Sequence, residues 1–182
     1  MLKQNISVIS GGPGFGKTQT IRELANLGYR TGSEFARELI QQQLQSGGDM
    51  LPWKNIKAFQ SEILNRRIGF YQSVGEHELA FCDRAIPDQL AFARFRGFEP
   101  SALLWKSARL YRYAETVFVA PPWREIYTTD QTRNENFEEA CLLHQYICDT
   151  YLELGYQLTE LPLTDTASRA RFIIDQLKLQ NK

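Results

Sequence analysis

SGGPGFGKTQT, residues 10–20, gathers four glycines and a proline around Lys17, directly behind the apolar run Ile6, Val8 and Ile9. Glycine forfeits more backbone entropy than any other residue when it is fixed, so this density implies positive φ angles or a close ligand approach that a Cβ would obstruct. The spacing narrows the choice. Gly11, four residues, then Gly16, Lys17 and Thr18 satisfy G-x-x-x-x-G-K-[ST], in which successive N–H groups form an anion-binding nest. NISVIS before it reads as a short buried strand, and TQTIRELANLGY after it as a helix with Ile21 and Leu24 at helical spacing. The loop therefore opens a helix, whose N-terminus adds N–H donors and the positive end of the macrodipole.

Gly11, Gly12, Pro13, Gly14, Phe15, Gly16, Lys17, Thr18 and Gln19 are thus the candidate nucleotide-binding residues. Lys17 is expected to reach the β- and γ-phosphates of ATP, and the Thr18 hydroxyl to hold Mg²⁺. The competing reading is a glycine-rich strand-to-helix turn without a ligand; the coincidence of strand, motif and helix opposes it.

Working outward, 182 residues suffice for one domain with a proper core. Lysine plus arginine equals aspartate plus glutamate at 21 each, so no global charge draws the chain to nucleic acid or membrane. Arginine outnumbers lysine 14 to 7, and its planar fork suits phosphate and carboxylate. Cys82, Cys141 and Cys148 form no C-x-x-C pair, which fits reduced thiols and a cytoplasmic location. No apolar run approaches membrane-spanning length.

Further strands are expected around 29–32, 78–82, 115–120 and 156–160, separated by helices. The clearest helix covers about 53–74 behind Pro52, with Ile56, Phe59, Ile63, Phe70 and Val74 as its apolar stripe. Pro87 and Pro100 are expected to open two more, with Gly97 as the stop between them. Strands alternating with helices imply a parallel sheet, and ligands of such sheets bind at the carboxyl ends of the strands.

The residues just past each strand are therefore the next candidates. Asp83 ends the third strand as a Mg²⁺-facing carboxylate, and Arg84 follows as a charge stabiliser for transferring phosphate and an acceptor contact; the alternative makes Asp83 a helix cap and Arg84 its surface partner. Asp88 reads as helix N-terminal charge. Past the second strand, Glu34 and Arg37 share a helix face, Glu34 as candidate base and Arg37 as acceptor anchor, against a plain first-turn role for the glutamate. Past the fourth, residues 121–136 are expected to form a lid flanked by Arg124 and Arg133, which would stabilise transition-state charge; Thr132 with Glu135 alternatively fits a capping box. LPLTDTASRARF after the fifth strand can embrace an adenine, and the guanine-reading NKxD of small G proteins is absent. His77 and His144 read as structural or surface residues, and nothing has zinc-ligand spacing.

Taken in order, ISGGPGFGKT, SEFAREL, CDRAIPD, YRYAETVFVAPPWREIY, TRNENFEEA and LGYQL resemble a family of small bacterial P-loop proteins called AAA-type ATPases or NadR-like kinases, related to the ribosylnicotinamide kinase domain. The resemblance spans nearly the whole chain. It implies an α/β P-loop kinase-like fold, a five-stranded parallel sheet in the order 2-3-1-4-5 flanked by helices, with ATP and Mg²⁺. More distantly the chain is similar to deoxynucleoside kinases, which place a glutamate after the second strand and an acidic-Arg pair after the third; Glu34 and Asp83-Arg84 occupy those places, while Ala85 stands where serine is common. The function expected is phosphoryl transfer to a small hydroxyl-bearing molecule, a nucleoside, nucleotide or ribosylnicotinamide-like acceptor. The alternative is a nucleotide-dependent switch or slow NTPase acting through a protein partner.

Overall fold

The computed structural model describes residues 1–128 and 135–180. Strand β1 (Ile6–Ser10) runs into the glycine loop and helix α1 (Lys17–Asn26), followed by β2 (Arg30–Gly32), α2 (Phe35–Ser46), α3 (Ile56–Ser73), β3 (Ala80–Asp83), α4 (Ile86–Phe95) and α5 (Ala102–Leu110). Strand β4 (Thr116–Val119), a 3₁₀ turn (Arg124–Ile126), α6 (Phe137–Glu153), β5 (Gln157–Glu160) and α7 (Thr166–Gln180) complete it. Every strand pairing is parallel, and the order is β2-β3-β1-β4-β5, as the resemblance implied.

Strands β1, β3 and β4 are buried along their whole length, the mark of a parallel sheet covered on both faces. Their side chains alternate between two cores. Ile6, Val8, Ala80, Cys82, Val117 and Val119 join the core that includes α4 and α6, whereas Ile9, Phe81 and Phe118 join the one beneath α1 and α7. The period of two matters for the site, because it sends Ser10 and Asp83, at neighbouring strand ends, to opposite faces. A third apolar group, Leu39, Ile40, Leu51, Phe59 and Ile63, ties α2 to α3 away from the sheet.

Helix boundaries refine the sequence expectations. Helix α3 starts three residues later than Pro52 suggests, because the Asn55 side chain accepts the Ala58 N–H and caps it. Pro100 likewise lies outside α5, which Ser101 caps by accepting the Leu104 N–H at 3.2 Å. Pro87 does fall in the first turn of α4, and Gly97, with φ 73°, follows that helix in the left-handed conformation expected of a stop. Helix α6 is capped by a reciprocal pair, Asn136 and Glu139. The capping box expected of Thr132 and Glu135 falls partly outside the described residues. Among those residues no helix is long and apolar enough to cross a membrane.

Candidate functional site

The glycine loop is shaped by close contacts that a side chain would destroy. Gly11 has φ 122°, and a Cβ there would lie 2.5 Å from the Ala120 carbonyl oxygen; at Gly14, φ 81°, it would lie 2.5 Å from the Tyr127 ring. Helix α1 then begins behind Gly16, itself left-handed, and no side chain caps it. The N–H groups of its first turn and the helix dipole therefore face the loop. The Lys17 ammonium folds back over the loop and donates to the Gly12 carbonyl at 2.5 Å.

Three oxygen-bearing side chains meet beside Lys17. The Thr18 hydroxyl lies 2.8 Å from Asp83 Oδ2, to which it donates, and 3.3 Å from Glu34 Oε2. Glu34 is placed by the short edge strand β2, which ends at Gly32 and lets it stand as the N-cap of α2. Arg37, one turn on, approaches Glu34 Oε2 at 4.0 Å. Asp83 is 2 % exposed, and its Oδ1 has no hydrogen-bond partner among the described residues. Burial and then the charge of Glu34 push its carboxyl above the usual carboxylate range, against the pull of Lys17, Arg84 and the Thr18 hydroxyl. A buried carboxylate with an empty acceptor oxygen and a second carboxylate nearby is suited to a cation. Among the described residues no group of three or more acidic, histidine or cysteine side chains forms a cage. Mg²⁺ needs no such cage, since it commonly binds through one or two carboxylates plus phosphates and water.

Five residues along, Asp88 has the opposite character. It is fully buried, and its carboxylate accepts from the Ser10 and Tyr151 hydroxyls, the Arg84 guanidinium and the Ala85 N–H. Burial raises its carboxyl, but Arg84, Arg67 and the two hydroxyls outweigh that and hold it below the usual range. Asp88 is thus more than helix N-terminal charge. Arg84 is not a surface partner either: it is 6 % exposed, pairs with Asp88 at 3.2 Å and stacks 5.0 Å from the Phe92 ring. Its backbone adopts φ 67°, the sole non-glycine with positive φ among the described residues. That conformation is costly for a long side chain and collects at functional junctions; here the Arg84 N–H bonded to the Ile9 carbonyl and the ion pair impose it.

A cleft of about 630 Å³ opens beside the loop, lined by Lys17, Thr18, Arg37, Trp123, Thr164 and Arg169 among others. Such a volume is within the usual range of small-molecule sites. Arg169, on α7 and 2 % exposed, donates to the Phe15 and Pro162 carbonyls and lies 4.9 Å from the Trp123 ring. It bolts the loop to the segment after β5, a role the sequence reading did not assign.

The remaining candidates fall at various distances from this cluster. Gln19 is exposed and lines the cleft, while Pro13 and Phe15 are buried, Phe15 against Tyr127, Phe137 and His144. Of the expected lid, 121–128 and 135–136 lie in the described residues, and its Tyr127 rests on Gly14. Arg124 is turned outward, its side chain 69 % exposed, ion-paired to Glu138 and 4.1 Å from the Phe137 ring. It does not line the cleft. Arg133 lies outside the described residues. His144, read from sequence as structural or surface, accepts the Gly12 N–H at 3.4 Å, and burial, with Lys17 and Arg84, lowers its pKa to about 4. Its place on the inward face of α6, between Ala140 and Ile147, was the available signal.

Residues 7–169 match the AAA domain family AAA_28. The chain belongs to that family. A search of curated proteins finds no significant match. Among solved structures this AAA domain protein is similar to deoxyadenosine kinase from M. mycoides, with TM-score 0.68 and 15% identity over 96% of this chain and 98% of that one. It is also similar to NadR protein in complex with NR, with TM-score 0.66 and 20% identity over 97% of this chain and 51% of that one. Shikimate kinase from Acinetobacter baumannii in complex with shikimate gives TM-score 0.60 and 18% identity over 97% and 93%. At these identities the likeness establishes the fold, that of P-loop kinases.

Proposed function

We propose that the protein is an ATP-dependent kinase that transfers the γ-phosphoryl group to a hydroxyl of a small acceptor, the whole chain 1–182 acting as one unit. The observation that carries this reading is the convergence of Thr18, Asp83 and Glu34 beside Lys17, at the ends of β1, β2 and β3. A loop that merely ties strand to helix has no use for two carboxylates so close together, one of them buried with an empty oxygen.

In this reading the loop N–H groups from Gly11 to Gln19 cradle the phosphates, and Lys17 leaves the Gly12 carbonyl to meet the β- and γ-oxygens. Thr18 and Asp83 fit Mg²⁺ as adjacent hard oxygen ligands, Asp83 with an oxygen that has no partner among the described residues. Bound there, the ion would neutralise charge on the phosphates. Glu34 accepts the proton of the acceptor hydroxyl, and Arg37 keeps the glutamate and the acceptor in place. Arg84 stabilises charge developing on the transferred group. Trp123 and the Thr164–Thr166 segment supply the cleft wall against which an adenine stacks. Arg124 and Arg133 join as closing arginines once nucleotide is bound, Arg124 by exchanging Glu138 for phosphate.

The structural neighbours named for deoxyadenosine, shikimate and NR chemistry support an acceptor that carries a hydroxyl. The test is ADP formation from Mg-ATP across nucleosides, nucleotides, ribosylnicotinamide and hydroxy acids, with Lys17→Ala as control. An acceptor that raises ADP release and gains phosphate sustains the reading. Nucleotide binding with no acceptor-dependent turnover would replace it with a nucleotide-dependent switch.

A further inference from the structure

Among the described residues, Arg67 is the least satisfied charged group outside the phosphate loop. It lies on α3 between Ile63 and Tyr71, inside the buried stripe of that helix, and is 7 % exposed. Its Nε and Nη1 are buried with no hydrogen-bond partner among the described residues. The negative charge that acts on it most is Asp88, while Arg84 adds a like charge. Asp88 is already filled. Its Oδ1 takes the Ser10 hydroxyl and Arg84, and its Oδ2 takes the Ala85 N–H and the Tyr151 hydroxyl, which is the full capacity of a carboxylate. Two buried guanidiniums therefore share one saturated carboxylate.

A second orphan directly follows Asp88 in the chain. Gln89, 3 % exposed on α4, donates through Nε2 to the backbone and side-chain oxygens of Gln60, on α3, and its own Oε1 has no partner. Folded proteins pair buried polar atoms almost without exception, and an unpaired buried guanidinium is among the most expensive violations. Arg84, held at positive φ, connects this region to the phosphate site, because Asp83 precedes it directly. The orphaned donors and the phosphate-site carboxylate are thus joined through a single strained residue.

We infer that Arg67, whose unpaired donors lie beside the Arg84–Asp88 pair, receives an anionic group, a carboxylate or a phosphate monoester, carried by the phosphoryl acceptor. The inference rests on the kinase reading and narrows its substrate class. The acceptor presents its hydroxyl toward Glu34 and its anion toward the α3–α4 side, where the fork of Arg67 supplies the paired N–H donors that planar oxyanions prefer. Gln89 Oε1 accepts a hydroxyl or amino hydrogen from the body of the molecule. A neutral nucleoside leaves Arg67 as unsatisfied as it is now, so anionic acceptors are selected over neutral ones of the same shape.

The test uses the full chain saturated with Mg-ADP, titrated calorimetrically with inorganic phosphate and with matched pairs: a nucleoside 5′-monophosphate against its nucleoside, and glycerate against glycerol. The anionic member of at least one pair is expected to bind about tenfold or more tightly than the neutral one, and the pair that responds tells phosphate from carboxylate. Arg67→Met should abolish that preference while its Tm stays unchanged or rises by roughly 2–4 °C, because an uncompensated buried charge has been removed. If the methionine variant does not fold, Arg67→Lys, which keeps the charge without the fork, should weaken anion binding while Mg-ADP affinity holds. Equal binding of charged and neutral probes, or anion binding indifferent to both substitutions, overturns the inference. Phosphoryl transfer separates the two readings. Transfer to neutral acceptors independent of Arg67 keeps the kinase and sinks the anion site, whereas Arg67-dependent anion binding without transfer to any acceptor keeps an anion site, sinks the kinase and overturns the assignment of that anion to a phosphoryl acceptor.

Discussion

Asp83 and Asp88 are two buried aspartates five residues apart, and they behave as opposites. Asp88 faces the core with α4 and α6, has every oxygen filled, and is held below the usual carboxylate range. Asp83 faces α1 and the glycine loop, keeps one oxygen unfilled, and is pushed above that range by burial and by Glu34. The pleat of the sheet separates them by sending Ser10 and Asp83 to different faces. What differs is completeness: Asp88 has its partners within the chain, whereas Asp83, which we propose for Mg²⁺, keeps one oxygen with no partner among the described residues.

The comparison breaks most visibly at Asp88. Asp88→Asn should destabilise the fold by about 3–5 kcal/mol in urea unfolding, since it leaves the Arg84 guanidinium in the interior without its carboxylate. Lys17→Ala should leave unfolding nearly unchanged yet lower phosphoryl transfer roughly 10²–10³-fold, the usual effect of removing one preorganised donor to developing charge.

Stability against pH sharpens the contrast between the two aspartates. A carboxyl raised on folding stabilises most below the ordinary carboxylate pKa and loses that contribution as pH rises through its folded value. Asp83 belongs to that class, so the stability of wild type relative to Asp83→Asn should fall with rising pH. Asp88 is lowered, so its contribution is full above the ordinary pKa and should vanish as pH falls through the depressed one, giving the opposite slope relative to Asp88→Asn. Two slopes of the same sign would erase the distinction.

His144 adds a third slope, in the interval just above the carboxylates. Its pKa is lowered to about 4, so folding excludes a proton that the unfolded chain binds near pH 6.5, and stability should decline as pH falls from 6.5 toward 4. In His144→Gln that part of the decline should disappear from thermal melts taken across the interval.

The sequence made some of this legible and hid the rest for identifiable reasons. The loop, its flanking strand and helix, and the strand-end position of Asp83 are local patterns of a few residues, and each strand lies within two residues of its expected bounds. The sheet order follows from the family resemblance, since adjacency of strands is not written in local periodicity. Asp88 was hidden because its hydroxyl partners, Ser10 and Tyr151, are 78 and 63 residues away. Arg67 left a trace that composition obscures: it stands four residues after Ile63 and four before Tyr71, where the apolar stripe of α3 leads one to expect another apolar side chain. Arg84 was read as a phosphate contact with a surface place as the alternative, and its burial against Asp88 stayed hidden because αL backbone at an arginine has no sequence signature.

The most direct measurement follows label from γ-³²P-ATP with Mg²⁺ into the acceptor pool, comparing wild type with Glu34→Gln at matched nucleotide occupancy. The account predicts label in a hydroxyl-bearing acceptor and a loss of roughly 10²–10⁴-fold in the variant with nucleotide affinity retained, the range for removing a general base. Label found only in inorganic phosphate, at the same rate in both proteins and with every acceptor, would contradict it.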